Sequence, residues 1–325
     1  MTIRTSYSYK LTDNQQKKLT RILREGNYRP LEIPHTSVAA ETEKCKIALY
    51  TSGKCVIQGR NAADFVTFIL EPHVLECAEL GYEKIHAPEN YQPHMGVDES
   101  GKGDFFGPIV IVCEYVDKKI VDRFQEMGVK DSKRITSENK VLGLGKELRE
   151  MLFRQHSIVK IGPETYNRLY TRMRSVNRML SWAHARAIEN MLEMMPSCPR
   201  VVVDQFGAKH EVEQALMKAG KGIDMVQKHR AESDPAVAAA SIIARETFVR
   251  SLKDMEKQYE TVIPKGASAK VRETAGKLIQ THGPEILLKI AKCHFKTTDE
   301  VLETLGFTRS NLGHHGKATS KQYTR

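Results

Sequence analysis

Residues 96–108 read Gly-Val-Asp-Glu-Ser-Gly-Lys-Gly-Asp-Phe-Phe-Gly-Pro, a short apolar run that ends in two adjacent acids and enters a glycine-rich turn. The apolar run 109–116 follows directly, so the two runs predict a hairpin of antiparallel strands. Further short apolar runs at 157–161, 201–203 and 225–226 alternate with helical patterns at 137–153, 176–195 and 211–218. Strands separated by helices favour parallel pairing, so the region is predicted as an α/β fold built on a mixed sheet. Pro235 stands at the first position of a long helical pattern over 236–257, with further helical segments at 268–281 and 284–292.

The acids at the ends of these strands are the candidate chemistry. Asp98 and Glu99 end the first strand, Asp204 ends the run 201–203, and Glu232 and Asp234 precede the long helix. Hard divalent cations take oxygen ligands, and carboxylates at the ends of neighbouring strands can converge on one cleft. Adjacent strand residues face opposite ways, so two ligands at Asp98 and Glu99 require a bend or a reach by the longer glutamate arm. Each acid also has an ordinary role: Asp234 and Glu232 suit a helix N-terminus, and Asp204 can simply end a strand. Gly101 and Gly103 serve a hairpin turn equally well.

The first ninety residues have a separate pattern. A polar segment over 15–24 with Leu19 and Leu23 on one face follows Thr12 and predicts a helix. The runs 44–49 and 54–58 flank Tyr-Thr-Ser-Gly and predict a hairpin, after which Asn61 begins a helix carrying Phe65, Phe68, Ile69 and Val74. Residues 1–60 hold 11 Lys/Arg against 5 Asp/Glu, which gives this unit one basic face or a solvated basic surface. Turn formers at 86–93 predict a linker. The divisions expected are 1–90, 91–307, and a flexible basic tail at 308–325 that has four Lys/Arg and no acid.

A formal charge of +10 favours a polyanionic partner. The six cysteines are scattered without zinc or disulfide spacing. Neither a signal-peptide core nor an apolar run of ~20 residues is present, so a cytoplasmic protein with no membrane partner is expected.

Taken together, Asp98-Glu99, Gly101-Lys102-Gly103, Asp131-Ser132-Lys133, Asp204 and the helix Ala239-Ala240-Ser241-Ile242-Ile243-Ala244-Arg245 resemble the ordered signature of the type 2 ribonucleases H. Glu99 through Pro108, Lys265-Gly266-Ala267-Ser268 and His294-Phe295-Lys296-Thr297-Thr298 are similar to the HIII branch. The N-terminal unit, with Leu49-Tyr50-Thr51-Ser52-Gly53-Lys54 and Gln58-Gly59-Arg60, is similar to that branch's extra hybrid-binding domain, which is folded like half of a TATA-box-binding protein.

The resemblance implies a ribonuclease H-like catalytic domain and cleavage of the RNA strand of RNA–DNA hybrids by two divalent cations, Mg²⁺ or Mn²⁺. It implies 5′-phosphate and 3′-hydroxyl ends, and a monomer. Carried over residue by residue, the metal ligands are Asp98, Glu99, Asp204 and Glu232, with Asp234 as the rival for the fourth place. Hybrid contacts fall on Gly101, Lys102, Gly103, Ser132 and Lys133, and in the first unit on Lys54, Gln58 and Arg60. A DNA nuclease or strand-transfer enzyme on the same fold is the alternative. A non-enzymatic nucleic-acid binder fits less well, because bare acids repel a phosphate backbone.

Overall fold

A computed structural model describes residues 5–76, 87–129, 135, 137–204, 212, 215–216, 220–228 and 231–319, without the side chains of Lys221 and Glu232. Two compact units result: Met1–Tyr91 with Gln125–Gly128, and Gln92–Phe124 with Val129–Arg325.

In the first unit, strands β1 (Ser6–Lys10), β2 (Arg29–Pro30), β3 (Thr36–Thr42), β4 (Cys45–Tyr50) and β5 (Lys54–Gln58) form an antiparallel sheet in the order β1-β5-β4-β3-β2. Helix α1 (Asp13–Glu25) begins in a capping box: Thr12 accepts from the Gln15 amide and the Gln15 side chain accepts from the Thr12 amide. Its Leu19 and Leu23 join Ile47, Leu49, Cys55 and Ile57 in one core. Period-two alternation then turns the exposed Lys54 and Gln58 to the opposite face of β5, where Lys10 lies across from Lys54 and Lys46 across from Gln58. The helix expected after Asn61 is α-helical only over α2 (Ala62–Phe65) and continues as wider π-helical turns over Val66–Leu75. Pro72, which has no amide hydrogen, lies within those turns.

The second unit carries β6 (His94–Ser100), β7 (Ile109–Val116), β8 (His156–Ile161), β9 (Arg200–Asp204) and β10 (Asp224–Lys228) in the order β10-β9-β6-β7-β8. β10, β9 and β6 are parallel, and β7 is antiparallel to both β6 and β8. Helices α3 (Lys118–Met127) and α4 (Glu138–Met151) connect β7 to β8. Helices α5 (Pro163–Met173) and α6 (Val176–Met194) follow, and α6 packs on β7 and β8. One sheet face, through Met95, Val97, Ile109, Ile111 and Val201, shares a core with Leu180, Ala183 and Ile188 of α6.

Against the other face lies α7 (Pro235–Tyr259), whose first turns are made of buried alanine and valine and so approach the sheet closely. Helices α8 (Ala269–His282), α9 (Ile286–Ile290), α10 (Lys296–Thr304) and the short α11 (Gly313–Gly316) complete the chain. Most of the helix expected over 211–218 lies outside the described residues. No helix among the described residues is long and apolar enough to cross a membrane.

The segment from Thr308 onward corrects the expectation of a flexible tail as far as residue 319. Leu312 is fully buried, and Ala318 enters the same core as Met95 and Val97. Arg309 holds it there, pairing both carboxylate oxygens of Asp299 at 2.5 and 2.9 Å and donating to the carbonyls of Cys293 and Gly316 at 2.7 and 2.8 Å. A guanidinium with fixed donors can order a stretch that has almost no apolar pattern.

Candidate active site

The central strand β6 sets the geometry. Its register with β9 pairs Met95 with Val201, Gly96 with Val202 and Val97 with Val203, so Asp98 and Asp204 stand side by side one step further along two parallel strands. By alternation both share the face of Gly96 and Val202, the face on which α7 lies. Gly96 makes that contact possible, because a Cβ there would stand 2.3 Å from the Val237 amide nitrogen and 2.4 Å from the Ala236 carbonyl carbon.

Asp98 is buried and accepts hydrogen bonds from the Ser241 hydroxyl of α7 and, at 2.8 Å, from the Glu99 amide. Burial first, then the charges of Glu99 and Asp204, push its carboxyl up to about 7, against the opposing pull of those two hydrogen bonds. Glu99 faces the opposite side of the sheet, where His184 of α6, fully buried, donates from Nε2 to Glu99 Oε2 at 3.2 Å.

Asp204 accepts from the Ala231 amide at 3.2 Å, which holds the Ala231–Ser233 turn beside it. Glu232 is the next residue along; its side chain lies outside the described residues. The rival acid, Asp234, stands at the start of α7. Asp234 Oδ1 accepts from the Ala236 and Val237 amides at 3.0 and 3.3 Å as the cap of α7, and from His94 Nε2 at 3.0 Å, all of it buried.

Gly101 has φ +91° and a Cβ on it would stand 2.3 Å from the Pro108 carbonyl oxygen, so the fold itself requires glycine there. Gly103 is different: a Cβ would meet nothing within 4 Å. Lys102 sits between them, half-buried. Ser132 and Lys133 lie outside the described residues. Lys54, Gln58 and Arg60 belong to the first unit and are exposed.

Among the described residues no three carboxylate, imidazole or thiol groups are already gathered around one point as a cation cluster.

Sequence reasoning passed over Gly96, His184 and His94. Gly96 was visible as a glycine inside a strand, a mark of close backbone approach. The two histidines had no local signal, because their partners are 85 and 140 residues away.

A family model described as Ribonuclease HII matches residues 95–298, which covers β6, its neighbours and α7. The strand-end acids therefore sit in a type 2 ribonuclease H fold. Ribonuclease HIII of Protochlamydia amoebophila is 37% identical over 89% of this chain and 94% of its own length. Ribonuclease HIII of Chlamydia pneumoniae is 37% identical over 90% and 96%. Among solved structures, a mutant of Bst-RNase HIII superposes with a TM-score of 0.64 at 26% identity, covering 92% of this chain and 99% of that one. The same protein in complex with Mn²⁺ gives a TM-score of 0.62 at 25% identity over the same shares. The chain belongs to the ribonuclease HIII family, and with it to the hydrolases of the ribonuclease H class.

Proposed function

We propose that the protein is an endonuclease that hydrolyses the RNA strand of RNA–DNA hybrids with two divalent cations, Mg²⁺ or Mn²⁺, leaving 5′-phosphate and 3′-hydroxyl ends. The observation that carries this reading is the meeting of Asp98 and Asp204 side by side at the ends of two parallel strands, with Glu99 adjoining them; burial first, then the charges of Glu99 and Asp204, push the Asp98 carboxyl up to about 7. An acid set of that kind fits divalent cations, whose charge removes the repulsion. When bound, such cations supply Lewis acidity and lower the pKa of water. Mn²⁺ bound to the Bst-RNase HIII relative supports the same fit.

Asp98, beside Asp204 and next to Glu99, would hold the cations together with both of them. Asp204 and Glu99 approach from the two faces of the sheet, and His184 fixes the direction of Glu99. Glu232 is the fourth ligand, since the Ala231 amide ties its turn to Asp204 while Asp234 is occupied by the cap of α7. Gly103, open to its surroundings and free of any internal need for glycine, lets backbone groups of the Gly101–Gly103 turn approach ribose 2′-hydroxyls. Lys102, with Ser132 and Lys133, addresses phosphates. The first unit, residues 1–90, adds affinity through the sheet face bearing Lys54 and Gln58, with Arg60 beyond it.

End-labelled RNA–DNA hybrid, duplex DNA and duplex RNA, each incubated with Mg²⁺, Mn²⁺ or EDTA, tests the reading. Cleavage confined to the RNA strand of the hybrid and abolished by EDTA is expected. Preferential cutting of duplex DNA would establish the DNA-nuclease alternative instead.

A further inference from the structure

Lys292 is fully buried, and its ammonium donates to two consecutive backbone carbonyls, Phe106 at 3.1 Å and Gly107 at 2.7 Å. Successive carbonyls of an extended chain point to opposite sides. The positive φ of Gly107, +79°, turns its carbonyl toward that of Phe106 so that one ammonium serves both. These residues form the far end of the turn that begins at Gly101.

The same stretch is bonded along its backbone. Lys292 N donates to Phe105 O at 2.8 Å, Gly107 N to Ile290 O at 2.9 Å, and Phe106 bridges Ala291. On the other side Phe105 N donates to Gly266 O at 2.9 Å, and Gly266 N to Asp104 Oδ1 at 2.7 Å. The segment holding Lys292 is itself fixed by Asn167 of α5, which donates to Ala291 O at 2.9 Å and accepts from Cys293 N at 2.9 Å.

A buried ammonium held by neutral carbonyls is an expensive choice for packing alone. Burial pulls the lysine down to about 7, with the charge of Asp104 acting the other way. An unbranched apolar chain of equal length would fill the space without that penalty. What only a multi-donor cation supplies is a fixed orientation of the two peptide groups.

We propose that Lys292 is a positioning residue for substrate binding: by bridging the Phe106 and Gly107 carbonyls it holds the 101–107 backbone in the shape that meets the hybrid. This rests on the reading that the glycine turn contacts substrate. Lys292→Met keeps the volume and removes the donors, and Lys292→Gln restores a shorter donor.

Two readouts are compared with the parent: amide hydrogen exchange over residues 101–107, and KM and kcat on an RNA–DNA hybrid. Lys292→Met is expected to speed exchange in the turn and raise KM by about tenfold or more, with kcat within about threefold, because the turn binds ground and transition states alike. Lys292→Gln is expected to lie between Met and the parent; if Lys292→Met does not fold, Lys292→Gln is read in its place. Unchanged exchange in the turn, or an unchanged KM in a folded variant, overturns the proposal. A parent protein that does not cut hybrid overturns the proposed function, and the exchange measurement then still decides whether Lys292 orders the turn.

Discussion

Adding a single methyl group to β6 tests how tightly the acid-bearing strand and α7 are matched. In Gly96→Ala the new Cβ would stand 2.3 Å from the Val237 nitrogen, 2.4 Å from the Ala236 carbonyl carbon and 2.6 Å from the Ala236 Cβ. Comfortable carbon contacts need about 3.5 Å, so the start of α7 must retreat by roughly 1 Å. No side-chain rotation relieves the clash, because two of the three atoms are backbone. Overpacking of this kind costs about 1–3 kcal/mol, which in a domain of this size lowers the thermal midpoint by roughly 2–12 °C.

The same retreat carries the Ser241 hydroxyl away from Asp98 and disturbs the Ala231–Asp204 contact. A misplacement of about 1 Å at reacting groups can cost on the order of 100-fold in rate. Single-turnover cleavage of end-labelled hybrid, with enzyme in excess, should show that loss in the folded variant at a temperature well below its midpoint. Gly276→Ala is the control: it lies inside α8 with nothing within 4 Å of its Cβ position, so activity should be unchanged and stability should rise by up to about 1 kcal/mol. A Gly96→Ala protein that folds and cuts within about threefold of the parent refutes the argument that close approach of α7 sets the site.

Asp98→Asn should abolish hybrid cleavage with the fold retained; residual activity within tenfold, a barrier change of only about 1.4 kcal/mol, would count against Asp98 as a metal ligand. Glu232→Gln should lower turnover by orders of magnitude with little change in thermal midpoint. Asp234→Ala should cost about 1.5–5 kcal/mol, because it removes the cap of α7 and the hydrogen-bond partner of buried His94 together, and should leave the turnover of the folded fraction largely intact. Inactivity of the Asp234 variant at full folding would transfer the fourth ligand to Asp234. Glu114, fully buried on β7 with neither carboxyl oxygen hydrogen-bonded to any of the described residues, is pushed by burial well above its ordinary 4.5. A raised carboxyl means that the folded state binds the extra proton, so stability is greatest below pH 4.5 as far as this group is concerned. It falls by up to about 1.4 kcal/mol per pH unit as pH rises toward the folded value. Urea unfolding of the parent and of Glu114→Gln between pH 5.5 and 7.5 should show a flatter dependence for the variant, and parallel curves would disprove it.

The legible parts of the sequence were those with local or periodic signals. Apolar runs ending in Asp98 and Asp204 marked the strands, and Asp234-Pro235 marked the start of α7 because a cap and a first-turn proline are read within three residues. The opposed directions of Asp98 and Glu99 also followed from the strand period. What was hidden is carried by long-range polar contacts: His184 looks like one more residue of a buried helix face until Glu99 is placed beside it. Residues 308–319 read as a tail because hydrophobic patterning cannot register Arg309, whose bonds go to one carboxylate and to carbonyl oxygens.

That packed terminus bears on how the chain is made. A ribosome delivers β6 about a hundred residues before its parallel neighbour β9, and Ala318 joins the core that Met95 begins only after β10 and α7 have been made. The first unit, whose strands and helix α1 are all complete by Gln58, can form while synthesis continues. The sheet carrying the acids waits longer: its fifth strand is complete only at Lys228 and the helix that covers its second face only at Tyr259, so its nascent form exposes apolar strand faces over much of its synthesis.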